Sequence, residues 1–170
     1  MRLFIAINFN SETHSRLLDL LEELRTNSSR GRFAAPENLH LTLAFLGECN
    51  EEECNAVKEA VEISTFEPFP VSVDRIGRFR RDGGDIWWAG LKESAPLIKL
   101  QQDLTGNLTA MGFTLDSRGF SPHITLGREI VTGAQPCKVE PFGETVSKID
   151  LMLSERVNGK LTYTSIFSSK

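Results

Sequence analysis

The chain has 170 residues, 40% hydrophobic and 25% charged, values ordinary for one globular domain or two small lobes folding together. A chain of this length buries roughly 70% of its unfolded surface and needs no disulfide or metal staple. The net charge of −4 and pI near 5.5 argue against a protein that coats nucleic acid with its whole surface, and no stretch approaches the ~20 apolar residues of a membrane span.

The opening, "RLFIAINF" (2–9), reads as a strand. Ser11 is placed to cap a helix whose apolar stripe is Leu17, Leu20, Leu21 and Leu24. "TNSSRGRFAAPEN" breaks that pattern and leads into "ENLHLTLAFLGE" (37–48), a strand with Leu39, Leu41, Leu43 and Phe45 on one face and His40, Thr42 and Ala44 on the other. Residues 51–63 form a second helix with acidic residues in its first turn, where the dipole favours them. "FPVSVDRIGRF" (69–79) and "IWWAGL" (86–91) make a hairpin turning at "RRDGGD". Trp87 and Trp88 point to opposite faces, one into the core and one free to line a cleft.

A third helix opens near Pro96, carries Leu97, Leu100, Leu104, Leu108 and Met111, and ends at Gly112. After "LDSRGF" a second strand, "SPHITLGRE", repeats the first arrangement: His123, Thr125 and Gly127 share one face, Ile124 and Leu126 the other. A loop containing Pro136 and Pro141 leads to two closing strands, joined at "RVNGK" by an Asn-Gly hairpin signal. Strand, helix and H-x-T strand recur in the same order in the halves 1–85 and 86–170. Residues 1–170 are therefore expected to form one duplicated bilobal unit, whose pseudo-two-fold axis brings the histidine strands face to face.

Two H-x-T faces lining one cleft supply two imidazoles and two hydroxyls. Histidine titrates near pH ~6.5, so one ring can be neutral and the other charged at neutral pH. That is the general base and general acid of an in-line displacement at phosphorus, with hydroxyls donating to the non-bridging oxygens. A two-histidine metal site would need a third ligand, and none is apparent, so neither metal nor cofactor is expected. His14 lies among polar residues of the first helix and is expected to face solvent. No nucleophile elbow or phosphate loop is present. Cys49, Cys54 and Cys137, odd in number and scattered, fit a reducing cytoplasm.

"MRLFIAI", "ENLHLTLAFLGE" and "RGFSPHITLGR", in this order and spacing, resemble the 2H phosphoesterases, and within them the RNA 2′,3′-cyclic phosphodiesterases, also called 2′-5′ RNA ligases. The resemblance covers nearly the whole chain. It implies an α+β bilobal fold with two antiparallel sheets, helices outside and a central catalytic cleft. It also implies metal-free opening of a 2′,3′-cyclic phosphate on RNA to a 2′-phosphate, with the reverse 2′-5′ joining possible. The implied roles fall on His40 as general acid and His123 as general base. Thr42, Thr125 and Arg128 are the implied phosphate-binding residues.

Strand parity puts Arg128 opposite His123, so Arg128 reaches the phosphate only if the strand ends or bulges after Thr125; otherwise it is a surface arginine. The implied partner is RNA with 2′,3′-cyclic phosphate ends, and the protein is expected to act as a monomer away from membranes. Gly119 and Ser121 depart from the family pattern, as does the proline-containing loop in place of a helix after the second motif. Arg75, Arg78, Arg80 and Arg81 around Phe79 read either as a phosphate-tracking loop or as a solvated hairpin tip. Two other functions fit the same residues: a 2H enzyme acting on a small cyclic nucleotide or ADP-ribose cyclic phosphate, and a non-catalytic RNA-end-binding module.

Overall fold

A computed structural model describes residues 1–116 and 118–170; Ser117, within the "LDSRGF" segment, lies outside the described residues. The elements are β1 (Arg2–Ile7), α1 (Ser11–Thr26), β2 (Ser28–Phe33), a 3-10 turn (Pro36–Asn38), β3 (Leu41–Glu48), α2 (Glu51–Ile63), β4 (Phe69–Phe79) and β5 (Asp85–Leu91). They continue with α3 (Ala95–Ala110), β6 (His123–Thr132), β7 (Cys137–Val146), β8 (Asp150–Val157) and β9 (Lys160–Ser168).

The strands form two antiparallel sheets, ordered β3-β1-β8-β9 and β2-β6-β5-β4-β7. Apart from the extra edge strand β2, the orders correspond strand for strand: β3 with β6, β1 with β5, β8 with β4, β9 with β7. The halves of the sequence interleave. β4 leaves the first half to join the second sheet, and β8 and β9 return from the second half to complete the first. Leucines of α1 (Leu17, Leu21, Leu24), α3 (Leu97, Leu100, Leu104, Leu108) and the inward faces of both sheets (Leu41, Trp87, Ile124, Leu126) share one core.

Several local expectations are corrected. The cap of α1 is Asn10, whose side chain accepts from the Thr13 amide; Ser11 is already helical. Residues 28–33 form a strand rather than a break. β2 is a polar edge strand held to β6 by its backbone, so periodicity gives it no apolar signature. The proline loop before the closing hairpin is the edge strand β7, and Pro141 falls where its register against β4 slips, between Phe142↔Val73 and Lys138↔Arg75. At the closing turn Asn158 and Gly159 both take positive φ, 53° and 77°, as the Asn-Gly signal requires.

Gly84 is set by close approach. With φ of 132°, a Cβ there would lie 2.5 Å from the Glu129 carbonyl carbon, and Glu129 itself holds an unusual φ of 53°. Gly83 also has positive φ, but nothing lies within 4 Å of its Cβ position. Gly83→Ala should therefore cost about 1 kcal/mol from backbone strain alone. Gly84→Ala should cost about 2–4 kcal/mol, because it adds overpacking against Glu129. Denaturant unfolding of the two variants measures the difference; equal costs would contradict the close approach.

Candidate active site

Each H-x-T segment is followed by one extra residue in its strand. In β3 the register steps from Thr42↔Ala6 to Ala44↔Ile5, leaving Leu43 as a bulge. In β6 it steps from Thr125↔Trp88 to Gly127↔Trp87, leaving Leu126. Two consecutive residues then turn inward, Leu43 with Ala44 and Leu126 with Gly127, all buried. The next side chain is returned to the histidine's face. Arg128 thus emerges on the same face as His123 and Thr125 and is exposed. The condition set for Arg128, a bulge after Thr125, is met. The same step moves Phe45 off the face of Leu41 and Leu43, where simple alternation put it, onto the face of His40, where it is 68% exposed. Gly127 is required at its bulge, since a Cβ would meet the Arg32 carbonyl at 2.9 Å.

Both imidazoles are fixed by a backbone carbonyl two residues upstream. His40 Nδ1 donates to Asn38 O at 2.6 Å, and His123 Nδ1 donates to Ser121 O at 2.7 Å. A carbonyl only accepts, so each Nδ1 carries a proton and each neutral ring presents the lone pair of Nε2. His40 Nε2 accepts from the Thr42 hydroxyl at 2.8 Å. Burial holds His40 below the ordinary histidine value, with the Asn38 hydrogen bond opposing.

Aromatic rings flank both histidines, a feature that periodicity did not foresee. Phe4 lies 4.9 Å and Tyr163 5.3 Å from the His40 ring, while Phe79 lies 5.2 Å and Trp88 6.3 Å from the His123 ring. Trp88 is the cleft tryptophan and Trp87 the core one. Trp88 packs against Gly77 and Gly90, whose Cβ positions would fall 2.4 Å and 2.8 Å from its ring. Burial pushes the Tyr163 hydroxyl above the ordinary tyrosine range, and the charges of Arg128 and Arg2 pull it back. Tyr163 is thus the aromatic neighbour of His40 on which the charge of Arg128, from the second motif, also acts.

The basic hairpin divides. Arg75 lies on the cleft face, 5.9 Å from the Trp88 ring and bonded to Asp74 and Leu91 O; Arg81 stands 5.8 Å from Phe79. Arg78 is on the opposite face, mostly buried over Trp87 and within 3.9 Å of Asp85, so it cannot belong to a phosphate-tracking set. His14 is not simply solvent-exposed: its Nε2 is 2.6 Å from Pro36 O, in the turn that precedes His40. That turn is further tied to β9 by Lys160–Glu37 at 2.6 Å and by Asn38 Nδ2 donating to Leu161 O. Among the described residues no group of three or more His, Cys, Asp or Glu side chains converges, and no helix is long and apolar enough to cross a membrane.

The burial of His40 has a direct consequence. Its imidazole should titrate below the ordinary ~6.5 in the free protein, with the Nδ1–H tautomer predominant above that pH. ¹⁵N-resolved NMR titration reads both; a midpoint above 6.5 would contradict the assigned surroundings.

The family model described as LigT-like phosphoesterase matches residues 7–88. The chain is 34% identical over 151 residues to the RNA 2′,3′-cyclic phosphodiesterase of Archaeoglobus fulgidus, covering 85% of each protein. It is also 34% identical over 131 residues to the protein of that name in Thermotoga maritima, covering 75% of this chain and 70% of the relative. The crystal structure of Escherichia coli LigT complexed with 3′-AMP superposes with a TM-score of 0.83 at 27% identity, over 98% of this chain and 95% of that one. The interleaved two-sheet α+β fold, the paired H-x-T segments and these likenesses together make the chain a member of the LigT-like phosphoesterase family.

Proposed function

We propose that this protein is an RNA 2′,3′-cyclic phosphodiesterase that opens terminal 2′,3′-cyclic phosphates to 2′-phosphomonoesters, with 2′-5′ joining as the reverse reaction. The observation that carries the reading is the pair of H-x-T strands. Each holds its imidazole by Nδ1 to a carbonyl and turns Nε2 away from it, toward the motif's own threonine at His40. Relatives sharing most of the chain's length bear the cyclic phosphodiesterase name, and a structural neighbour was solved with 3′-AMP. The substrate is RNA with a 2′,3′-cyclic phosphate end, handled by a monomer. The three free cysteines fit a cytoplasmic setting.

In the proposed reaction His123 Nε2 accepts a proton from a water that attacks phosphorus opposite the 3′ oxygen. The bond from phosphorus to the 3′ oxygen breaks, and His40, protonated at Nε2, gives its proton to that oxygen. Phosphorus stays on the 2′ oxygen. Thr42, Thr125 and Arg128 hold the non-bridging oxygens as their charge grows. Burial works against this role for His40 in the free protein, because an acid must enter the step charged. The cyclic phosphate carries the compensating negative charge, so its arrival favours protonation of His40.

This coupling fixes the expected pH behaviour. The protonated form of His40 is the active one, so kcat/KM, which reports the free enzyme, should fall as pH rises through a value below ~6.5. In kcat the same limb should move to higher pH, because the bound anion raises proton affinity. His40→Ala should lose that alkaline limb; losing the acidic limb instead would make His40 the base. Either His→Ala change should lower turnover ~10²–10⁴-fold with melting little altered. Wild-type turnover in either variant would refute the two-histidine mechanism.

The donor set predicts a second outcome. Hydrolysis should persist in excess EDTA; loss restored by one divalent ion would overturn the metal-free mechanism. A 2′,3′-cyclic oligonucleotide compared with cyclic mononucleotides and ADP-ribose cyclic phosphate separates the RNA enzyme from its small-molecule alternative. Binding without turnover of any of them would make the protein an RNA-end-binding module.

A further inference from the structure

The third histidine of the chain takes no part in the proposed reaction, yet it is bonded to the backbone that leads into the first motif. His14 stands half-buried on α1, next to the buried Thr13 and one turn before the buried Leu17. Its Nε2 lies 2.6 Å from Pro36 O, and since a carbonyl only accepts, His14 donates. Pro36 opens the three-residue 3-10 turn Pro36–Asn38, whose last residue offers its carbonyl to His40 Nδ1 at 2.6 Å. A 3-10 turn holds itself with poor hydrogen-bond geometry. Here its closing bond, from Leu39 N to Pro36 O, is long at 3.4 Å, and Pro36 and Glu37 are exposed. The bond from His14 is the shorter of these two at Pro36 O. β9 holds the other side of the turn, through Lys160 on Glu37 at 2.6 Å and through Leu161 O, which accepts from Asn38 Nδ2 at 3.1 Å. The carbonyl behind His123 is set differently: Ser121 O belongs to residues 119–122, which form no helical turn.

Resting on the reading that His40 is the acid of the reaction, we propose that His14 is a positioning residue for it: by donating to Pro36 O, His14 fixes the 3-10 turn that keeps Asn38 O against His40 Nδ1. An acid must deliver its Nε2 proton along one line to the departing oxygen. Ring contacts with Phe4 and Tyr163 hold His40 in place without choosing that line; the bond at Nδ1 chooses it. The same bond opposes the burial that disfavours the charged ring. Loosening the turn therefore weakens the acid twice, in its aim and in its proton affinity. His14 works from a helix anchored in the core, and a side chain at 14 without an N–H donor cannot make the bond.

The test compares His14→Ala, His14→Phe and His14→Gln; the second keeps a ring without a donor, and the third keeps an N–H donor. In His14→Ala and His14→Phe, ¹⁵N-resolved NMR of the free protein should show the His40 midpoint lowered and the Nε2–H tautomer gaining on Nδ1–H. For a 2′,3′-cyclic oligonucleotide, kcat and kcat/KM should fall together, about 10-fold, with KM unchanged, as for a misaligned catalytic group. His14→Gln should restore both readouts. An unchanged kcat or an unchanged His40 spectrum in the alanine and phenylalanine variants would overturn the proposal, as would an equal loss in His14→Gln. A lower melting temperature with the His40 spectrum unmoved would make His14 a stabilising residue only, and refutes the proposal equally. The NMR arm needs no substrate. If the wild-type protein turns over no cyclic phosphate, the reading of the reaction fails, while a shifted His40 tautomer still upholds the positioning.

Discussion

In each histidine strand the chain inserts one residue between the motif threonine and the next side chain bound for the cleft. Leu43 and Leu126 are those residues. Had the strands instead alternated regularly through Leu43 and Leu126, the side chains at 45 and 128 would be buried and Ala44 and Gly127 aimed at the cleft. With them, each strand shows its cleft three functional positions instead of two, and the core still receives an unbroken row of apolar groups. The site's composition follows from this step. Arg128 and Phe45 owe their place to it, and Gly127 is confined to glycine by the close approach of β2.

The second constraint is the carbonyl behind each imidazole. It selects the Nδ1–H tautomer and aims Nε2 into the cleft, a division of labour between the two ring nitrogens that acid–base chemistry requires. At His40 the carbonyl belongs to a short 3-10 turn clamped from two sides, by His14 on α1 and by Lys160 and Leu161 O on β9. The first sheet therefore holds its histidine through strands from both ends of the sequence. The two histidines are related in topology but differ in surroundings. His40 is covered by Phe4 and Tyr163 and bonded to Thr42, whereas the second site is built from Phe79 and from Trp88 packed against two glycines. Equivalent backbones with unequal environments are what separate an acid from a base.

Much of this was legible in the sequence because it rests on short-range pattern. Helices α1, α2 and α3 follow from leucine and valine spacing, the closing hairpin from Asn158–Gly159, and the two motif strands from their repetition. Their flanking blocks carried the family resemblance and with it the two-sheet fold. Less legible were features decided by register. Nothing in "HLTLAF" announces that Leu43 is extra, so Phe45 read as core. β2 and β7 are edge strands with polar or proline-bearing sequences, and their pairing partners are far away in the chain. The aromatic surround could not be seen either, since Phe4 and Tyr163 are 159 positions apart and meet His40 only through the β1–β8–β9 order. The charge cluster at 75–81 misled for a related reason. A hairpin's arginines alternate faces, and Arg78 falls on the side of Trp87 and Asp85.

The central claim is that the two histidines divide one displacement at phosphorus, with His40 serving the departing 3′ oxygen. It is tested most directly with a 2′,3′-cyclic substrate in which sulfur replaces the 3′ oxygen, because a thiolate leaves with little help from an acid. Turnover of this substrate by His40→Ala should recover far more, relative to the wild-type protein, than turnover by His123→Ala. Preferential recovery of His123→Ala would contradict the account and exchange the two roles.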